Sequence, residues 1–141
     1  MILLDTNVVS EPLKLTVDAG VLDWIDAQII ESLYLSTISL AELRFGIAVL
    51  PPGKRRDTLH ASLEQRILPL FIGRILPFDA ASAEAYAMLR ARARVNGKAI
   101  APADGYIAAT ATVHGLIVAT RDTSPFEAAG LRVINPWNTR H

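Results

Sequence analysis

Short apolar runs alternate along this chain with segments whose apolar residues recur at helical spacing. Ile2 to Leu4 is an uninterrupted apolar run that ends at Asp5, the signature of a strand buried on both faces. Thr6 onward predicts a helix toward Lys14, broken near Pro12. Val17, Val21, Leu22, Trp24, Ile25 and Ile29 lie at intervals that share one helical face, which predicts an amphipathic helix over 18–30. Leu33 to Ser36 predicts a second strand. Ser39-Leu-Ala-Glu42 opens a helix that runs to about Leu50 and stops at Pro51-Pro52-Gly53. Lys54 to Leu68 is helical in pattern, with Leu59, Leu63, Ile67 and Leu68 on one side and Pro69 at its end. Ile75-Leu76 predicts a third strand, and Asp79 then N-caps a helix through Val95 that Asn96-Gly97 stops. Pro102 precedes a small-residue helix over 103–113, ended by Gly115. Leu116 to Ala119 is the clearest buried strand, and Leu131 to Ile134 predicts the last.

Strands alternating with helices in this way predict an α/β architecture, a parallel sheet flanked by helices on both faces. No repeat, low-complexity tract or linker interrupts the pattern, so the 141 residues read as one domain, 1–141. A chain of this length buries about two-thirds of the surface it exposes when unfolded. Hydrophobic residues make up 51% and the mean hydropathy is +0.31, which calls for a substantial core. No stretch approaches the ~20 apolar residues that span a bilayer. Ile2-Leu3-Leu4 has neither the length nor the basic flank of a signal segment. With no cysteine a disulfide framework is excluded. A cytoplasmic protein with no membrane contact is the expectation.

The 14 basic and 14 acidic residues cancel, which disfavours a large footprint on duplex nucleic acid. Two basic clusters stand out locally: Lys54-Arg55-Arg56, and Arg90, Arg92, Arg94 with Lys98. Each reads either as a solvated helix face or as a contact for a phosphate backbone.

Four acids change the picture. Asp5, Glu42, Asp104 and Asp122 each stand at the carboxyl end of a strand-like run or in the first turn of a helix-like run. In an open α/β sheet those positions share one rim, where such sheets bind their ligands. Each also has a purely structural reading. Asp5 can N-cap the helix after the first strand, and Glu42 can complete a capping box with Ser39. Asp104 suits a helix dipole, and Asp122 can make an Asx turn. Their conjunction points further. Carboxylates gathered on one rim repel one another unless protons or a divalent cation neutralise them. Oxygen ligands without cysteine or an evident histidine pair suit Mg²⁺ or Mn²⁺ rather than zinc. Phosphodiester hydrolysis needs an activated water, shielding of the phosphorane charge and a stabilised leaving oxyanion, which one or two such ions supply. Asn7 and Thr120 lie two residues from Asp5 and Asp122 and can orient a carboxylate or a water; they can equally form turns at strand ends.

Ile-Leu-Leu-Asp-Thr-Asn-Val, Ser-Thr-Ile-Ser-Leu-Ala-Glu-Leu-Arg-Phe-Gly, Ala-Asp-Gly-Tyr-Ile-Ala-Ala-Thr-Ala and Ala-Thr-Arg-Asp-Thr-Ser-Pro-Phe follow one another along essentially the whole chain. In that order they resemble the PIN-domain ribonucleases, closest to the prokaryotic VapC toxins and their FitB-type relatives. The resemblance implies a Rossmann-like parallel sheet and Mg²⁺- or Mn²⁺-dependent endonuclease activity on RNA. It assigns metal-site roles to Asp5, Glu42, Asp104 and Asp122. It also implies a homodimer and a cognate antitoxin that carries a DNA-binding domain and lays its C-terminal segment in a groove on the toxin, the complex then repressing its own operon. Two positions depart from the pattern. Many relatives have a further acid where this chain has Pro125, so the fourth acidic position rests on Asp122. Gly105 stands where a bulkier residue is common, which would loosen the helix start by up to ~1 kcal/mol relative to Ala.

On this reading Asp5, Glu42 and Asp104 hold the principal ion, Asp122 completes the site, and in-line hydrolysis leaves a 5′-phosphate and a 3′-hydroxyl. Single-stranded or looped RNA is the expected substrate, because a small rim pocket must reach a splayed backbone. Arg121 or the Arg90–Arg94 segment would guide phosphates. Segments 38–50 and 59–72 are apolar enough either to fill the core or to line a groove for an amphipathic partner helix. A haloacid-dehalogenase-type phosphatase would need a second Asp where Asn7 stands, and a receiver domain a late Lys for which this chain offers no good candidate. The non-enzymatic alternative is a regulatory subunit that dimerises and is capped by a DNA-binding antitoxin, its acidic pocket receiving a partner's Arg.

Overall fold

A computed structural model describes residues 1–138. Five strands, β1 (Ile2–Leu4), β2 (Leu33–Ser36), β3 (Ile75–Leu76), β4 (Ile117–Ala119) and β5 (Val133–Ile134), form one sheet in the order β3-β2-β1-β4-β5. Every neighbouring pair is parallel. The helices are α1 (Thr6–Ser10), α2 (Ala19–Asp26), α3 (Thr37–Ala48), α4 (Lys54–Ser62), α5 (Ala80–Val95), α6 (Pro102–His114) and α7 (Ser124–Ala128). After β1 the chain builds outward through β2 and β3, then crosses back to lay β4 on the other side of β1. The strand order reverses between β1 and β4, and that crevice is the switch point of the sheet.

Strand alternation divides the core into two layers. Ile2, Leu4, Leu33 and Leu35 face a cluster with Val8, Leu43, Ile47, Leu63 and Phe71, covered by α1, α3 and α4. Leu3 and Val118 face the opposite cluster with Leu89, Ala93, Ile107, Ala108 and Phe126, covered by α5, α6 and α7. The small residues of α6 let it lie close to the sheet and to α5. The parallel sheet with helices on both faces expected from the alternating pattern, and the Rossmann-like layout implied by the resemblance, are therefore what is observed.

Several boundaries differ from the sequence expectation. Pro12 ends α1 sooner than expected, and Glu11–Leu13 tightens into a 3₁₀ turn. The amphipathic helix over 18–30 closes at Asp26, and a separate 3₁₀ turn, Ile30–Ser32, leads into β2. The helix after Lys54 widens into a π turn over Leu63–Ile67, because Pro69 can neither donate to nor fit beneath the preceding turn. The capping box of Ser39 with Glu42 does not form. α3 begins earlier, its N-cap is Ser36, and Ser36 Oγ accepts from the Ser39 amide at 3.0 Å.

Gly105 also acts against expectation. A Cβ there would meet Tyr86 Cε2 at 2.9 Å and Arg90 Cδ at 3.2 Å. Tyr86 cannot easily give way, because it stacks on Tyr106 at 4.6 Å between centroids and Phe78 meets both rings edge-on. Close packing of α5 on α6 thus outweighs helix propensity at this position.

Two substitutions test the packing. Gly105→Ala is expected to destabilise by about 1–3 kcal/mol through overpacking, although propensity alone favours Ala. Phe126→Ala, at a fully buried position, is expected to cost about 3–5 kcal/mol. The urea midpoint at unchanged slope reads both.

Candidate functional site

The register Leu4↔Ala119 sets the next residues of the two central strands, Asp5 and Thr120, side by side at the switch point. The Asp5 amide continues the ladder by donating to the Ala119 carbonyl at 2.9 Å, and the Thr120 amide donates to Ile134 at 2.9 Å. Their side chains are joined too: the Thr120 hydroxyl donates to Asp5 Oδ2 at 2.8 Å. Asp5 Oδ1 accepts from the Thr6 amide at 2.8 Å, so the N-capping role expected of it is real. Asn7 ties the two loops together, its amide reaching Asp5 Oδ2 at 3.4 Å while its carbonyl oxygen accepts from the Arg121 amide at 3.2 Å.

Glu42 arrives from α3. Thr6 Oγ1 lies 2.5 Å from Glu42 Oε1 and 2.9 Å from Ser39 Oγ. With one proton to give, that hydroxyl donates to the carboxylate, and the Ser39 hydroxyl supplies the proton of the second contact. Asp104 sits in the first turn of α6, half-buried, where the helix dipole favours a negative charge. Asp122 stands on the exposed loop after β4. Its expected Asx turn is replaced by one that Thr120 makes: Thr120 Oγ1 accepts from the Asp122 amide at 3.0 Å. A single hydroxyl therefore steadies two acids.

Two of the four carboxylates, Asp5 and Asp104, are raised above their ordinary values. Asp5 is pushed up to about 6, first by burial and further by the charges of Asp104 and Glu42, despite the lowering bonds from Thr120 and Thr6. Asp104 is raised by burial, then by Asp122 and by Glu42. Oxygen-only donors that hold their protons too tightly fit a hard divalent cation, whose charge would relieve both burial and repulsion. Among the described residues no group of three or more His, Cys, Asp or Glu side chains forms a ready-made cage.

A cleft of about 940 Å³ opens beside the rim, lined by Asp104 and Asp122 with Arg90, Lys98, Ser124 and Glu127. Glu127 was missed in the sequence because it follows Phe126 in α7, with no strand end to mark it. Arg121, one of the two candidates for guiding phosphates, lies over the Trp137 ring at 5.1 Å and is exposed. Asp79 serves as the N-cap of α5, as expected, accepting from the Ser82 amide at 3.0 Å. No helix among the described residues is long and apolar enough to cross a membrane.

An open parallel sheet with carboxylates at its switch point defines a class of α/β proteins that handle charged ligands at that rim. The comparisons narrow it. The family model of the PIN domain matches residues 2–131. The chain is 61% identical over 97% of its length to the VapC ribonuclease Y4jK of Sinorhizobium fredii, covering 98% of that protein. It is 58% identical over 98% of its length to the toxin FitB of Neisseria gonorrhoeae, covering 99% of that chain. The structure of FitAB bound to an IR36 DNA fragment superposes with a TM-score of 0.96 at 55% identity, covering 100% of this chain and 99% of that one. This chain belongs to the PIN-domain family and, within it, to the VapC toxins of FitB type.

The perturbed carboxyl gives a signed prediction. Asp5 has an ordinary value of 3.8 and a folded value of about 6, so between them the folded state keeps a proton that the unfolded state has lost. Stability contributed by this group is present at low pH and lost as pH rises through the folded value, by about 3 kcal/mol at most. In EDTA, Asp5→Asn is expected to melt higher than the unsubstituted protein near pH 7, with the gap closing toward about pH 4. A gap that does not change with pH would show that the carboxylate is not strained.

Proposed function

We propose that this chain is a divalent-metal-dependent endoribonuclease, the toxin of a type II toxin–antitoxin pair. The observation that supports it most is the gathering of carboxylates at the switch point. There Asp5 is buried between β1 and β4, and burial, with the charges of neighbouring acids, raises both Asp5 and Asp104. Asp5, Glu42 and Asp104 hold Mg²⁺ or Mn²⁺ directly or through water, and Asp122 completes the site. When bound, the ion activates water, shields charge developing at phosphorus and stabilises the leaving oxygen. The protein's own groups do the rest. Thr120 and the Thr6 amide hold both oxygens of Asp5, Asn7 keeps the β1 and β4 loops together, and Thr6 orients Glu42. The substrate is RNA with an unpaired backbone that can enter an open cleft at the rim.

The antitoxin reading has support in a second concavity of about 330 Å³. Leu13, Leu43, Ile47, Leu50 and Leu59 line it, and its edge reaches Thr6 and Glu42. The segments that the sequence left open between core and groove supply core residues, residues of this concavity and exposed apolar side chains. Leu43, Ile47, Leu63 and Phe71 are buried, whereas Phe45, Val49, Leu70 and Ile72 are exposed. An amphipathic segment of an antitoxin laid there would end beside the carboxylates, so a partner with a DNA-binding domain could inhibit the site while tethering a toxin dimer to DNA. The similar FitAB assembly bound to DNA favours the same arrangement and keeps alive the alternative of a regulatory subunit with little nuclease activity.

Purified, partner-free protein is to be incubated with end-labelled structured RNA in Mg²⁺, Mn²⁺ or EDTA, beside Asp5→Asn. Cleavage is expected only with metal, and the substitution is expected to lower its rate at least about a hundredfold. Metal-dependent cleavage by a folded Asp5→Asn protein would remove Asp5 from the site. A folded protein that neither binds metal nor cuts RNA would leave the regulatory reading standing.

A further inference from the structure

The cleft beside Asp104 and Asp122 does not end at the rim. It shares Arg90, Lys98, Ala99 and Ile100 with an adjoining concavity of about 450 Å³, which continues to Arg94. The two make one groove, acidic at the switch point and basic along the last turns of α5 and the 96–101 loop. Arg90 stands where they join, and it is held there. Its Nε donates to the Ile100 carbonyl at 3.1 Å, its Nη1 donates to the Tyr86 hydroxyl at 2.7 Å, and its guanidinium lies 5.3 Å from the Tyr86 ring centroid.

That arrangement depends on the glycine after Asp104. Tyr86 and the Arg90 stem occupy the space a Cβ at residue 105 would take, with contacts of 2.9 and 3.2 Å. The same short stretch of α6 thus presents Asp104 to the rim and seats the cation beside it.

We propose that this groove carries the sugar–phosphate backbone of single-stranded RNA flanking the scissile bond, with Arg90 as a positioning residue locked by Gly105 and Tyr86. This rests on the nuclease reading of the rim. Charge complementarity selects the ligand. The stretch away from the rim is lined by Arg90, Arg94 and Lys98 with no acid, so a polyanion gains there, while Asp104, Asp122 and Glu127 lie in the part of the cleft next to the rim. A planar guanidinium with fixed orientation suits phosphate oxygens better than a flexible ammonium. The neutral net charge is no obstacle, because the cations are concentrated along one path.

Binding of a labelled single-stranded oligoribonucleotide is to be measured across a salt series with the Asp5→Asn protein, alone and carrying Arg90→Gln, Arg90→Lys or Gly105→Ala. Cleavage of the same RNA is followed in the Asp5 background, and thermal melts check folding. Arg90→Gln is expected to raise Kd and KM about tenfold with kcat nearly unchanged. It should also flatten the slope of log K against log salt by about 0.7, the value for one single-strand phosphate contact. Arg90→Lys is expected to restore the slope but only part of the affinity, and Gly105→Ala to lose affinity in the same direction. A folded Arg90→Gln protein with unchanged Kd and salt slope overturns the track, even if the unsubstituted enzyme cuts RNA. An Arg90-dependent salt slope in a folded protein that neither binds metal nor cuts RNA would leave backbone binding in the groove standing while defeating the nuclease reading. Oligoribonucleotide that fails to bind, while an acidic peptide binds through Arg90, would assign the groove to a protein partner and overturn the proposal.

Discussion

The buried Asp5 carboxylate, fixed between two parallel strands, is the constraint on which the rest of this molecule depends. Main-chain bonds from Asp5 to Ala119 and from Thr120 to Ile134 extend the ladders beyond the strands themselves. Because the sheet is parallel, adjacent strands end on the same side, and the polar residues that terminate them must meet there. Burial makes the charge on Asp5 costly, and the charges of Asp104 and Glu42 make it costlier. The fold compensates with hydrogen bonds from Thr120 and Thr6, which position the carboxylate without neutralising it. In the proposed reading, a site prepared in this way holds electrostatic strain that a divalent cation would relieve.

Around that point the two halves of the chain contribute different surfaces. α1, α3 and α4 form an apolar concavity that ends at Thr6 and Glu42. α5, α6 and α7 form a cleft bearing charges of both signs that begins at Asp104 and Asp122. The two surfaces reach different acids of the candidate site, Glu42 from one side and Asp104 with Asp122 from the other. In the proposed reading this juxtaposition lets an antitoxin and an RNA strand approach the centre from opposite sides and compete there.

Single atoms at the site serve more than one demand. Thr120 Oγ1 donates to Asp5 and accepts from the Asp122 amide, which couples the position of an exposed acid to that of a buried one. Gly105 gives up helix propensity so that the aromatic stack of Tyr86 on Tyr106 can form against α6. In both cases local preference yields to contacts made across the fold.

Much of this was legible in the chain itself. Apolar runs such as Ile2–Leu4 and Leu116–Ala119 mark strands buried on both faces, because only a covered parallel sheet tolerates them, and the helical periodicities between them specify the layers. Asp5, Glu42, Asp104 and Asp122 were recognisable as candidates because each interrupts an apolar pattern at an element end, and Asp79 was separable as a cap. Which hydroxyl caps which helix was not legible: Ser36 rather than Ser39 caps α3, since capping depends on where the backbone leaves β2. Nor were the place of Arg121 over Trp137, the entry of Glu127 into the cleft, or the sign of the Gly105 effect. Periodicity is a property of neighbours in sequence, and it determined the elements. Distances between residues far apart in the chain, such as Asp5 to Thr120 and Gly105 to Tyr86, exist only once the sheet has closed, and the tertiary structure alone decided them.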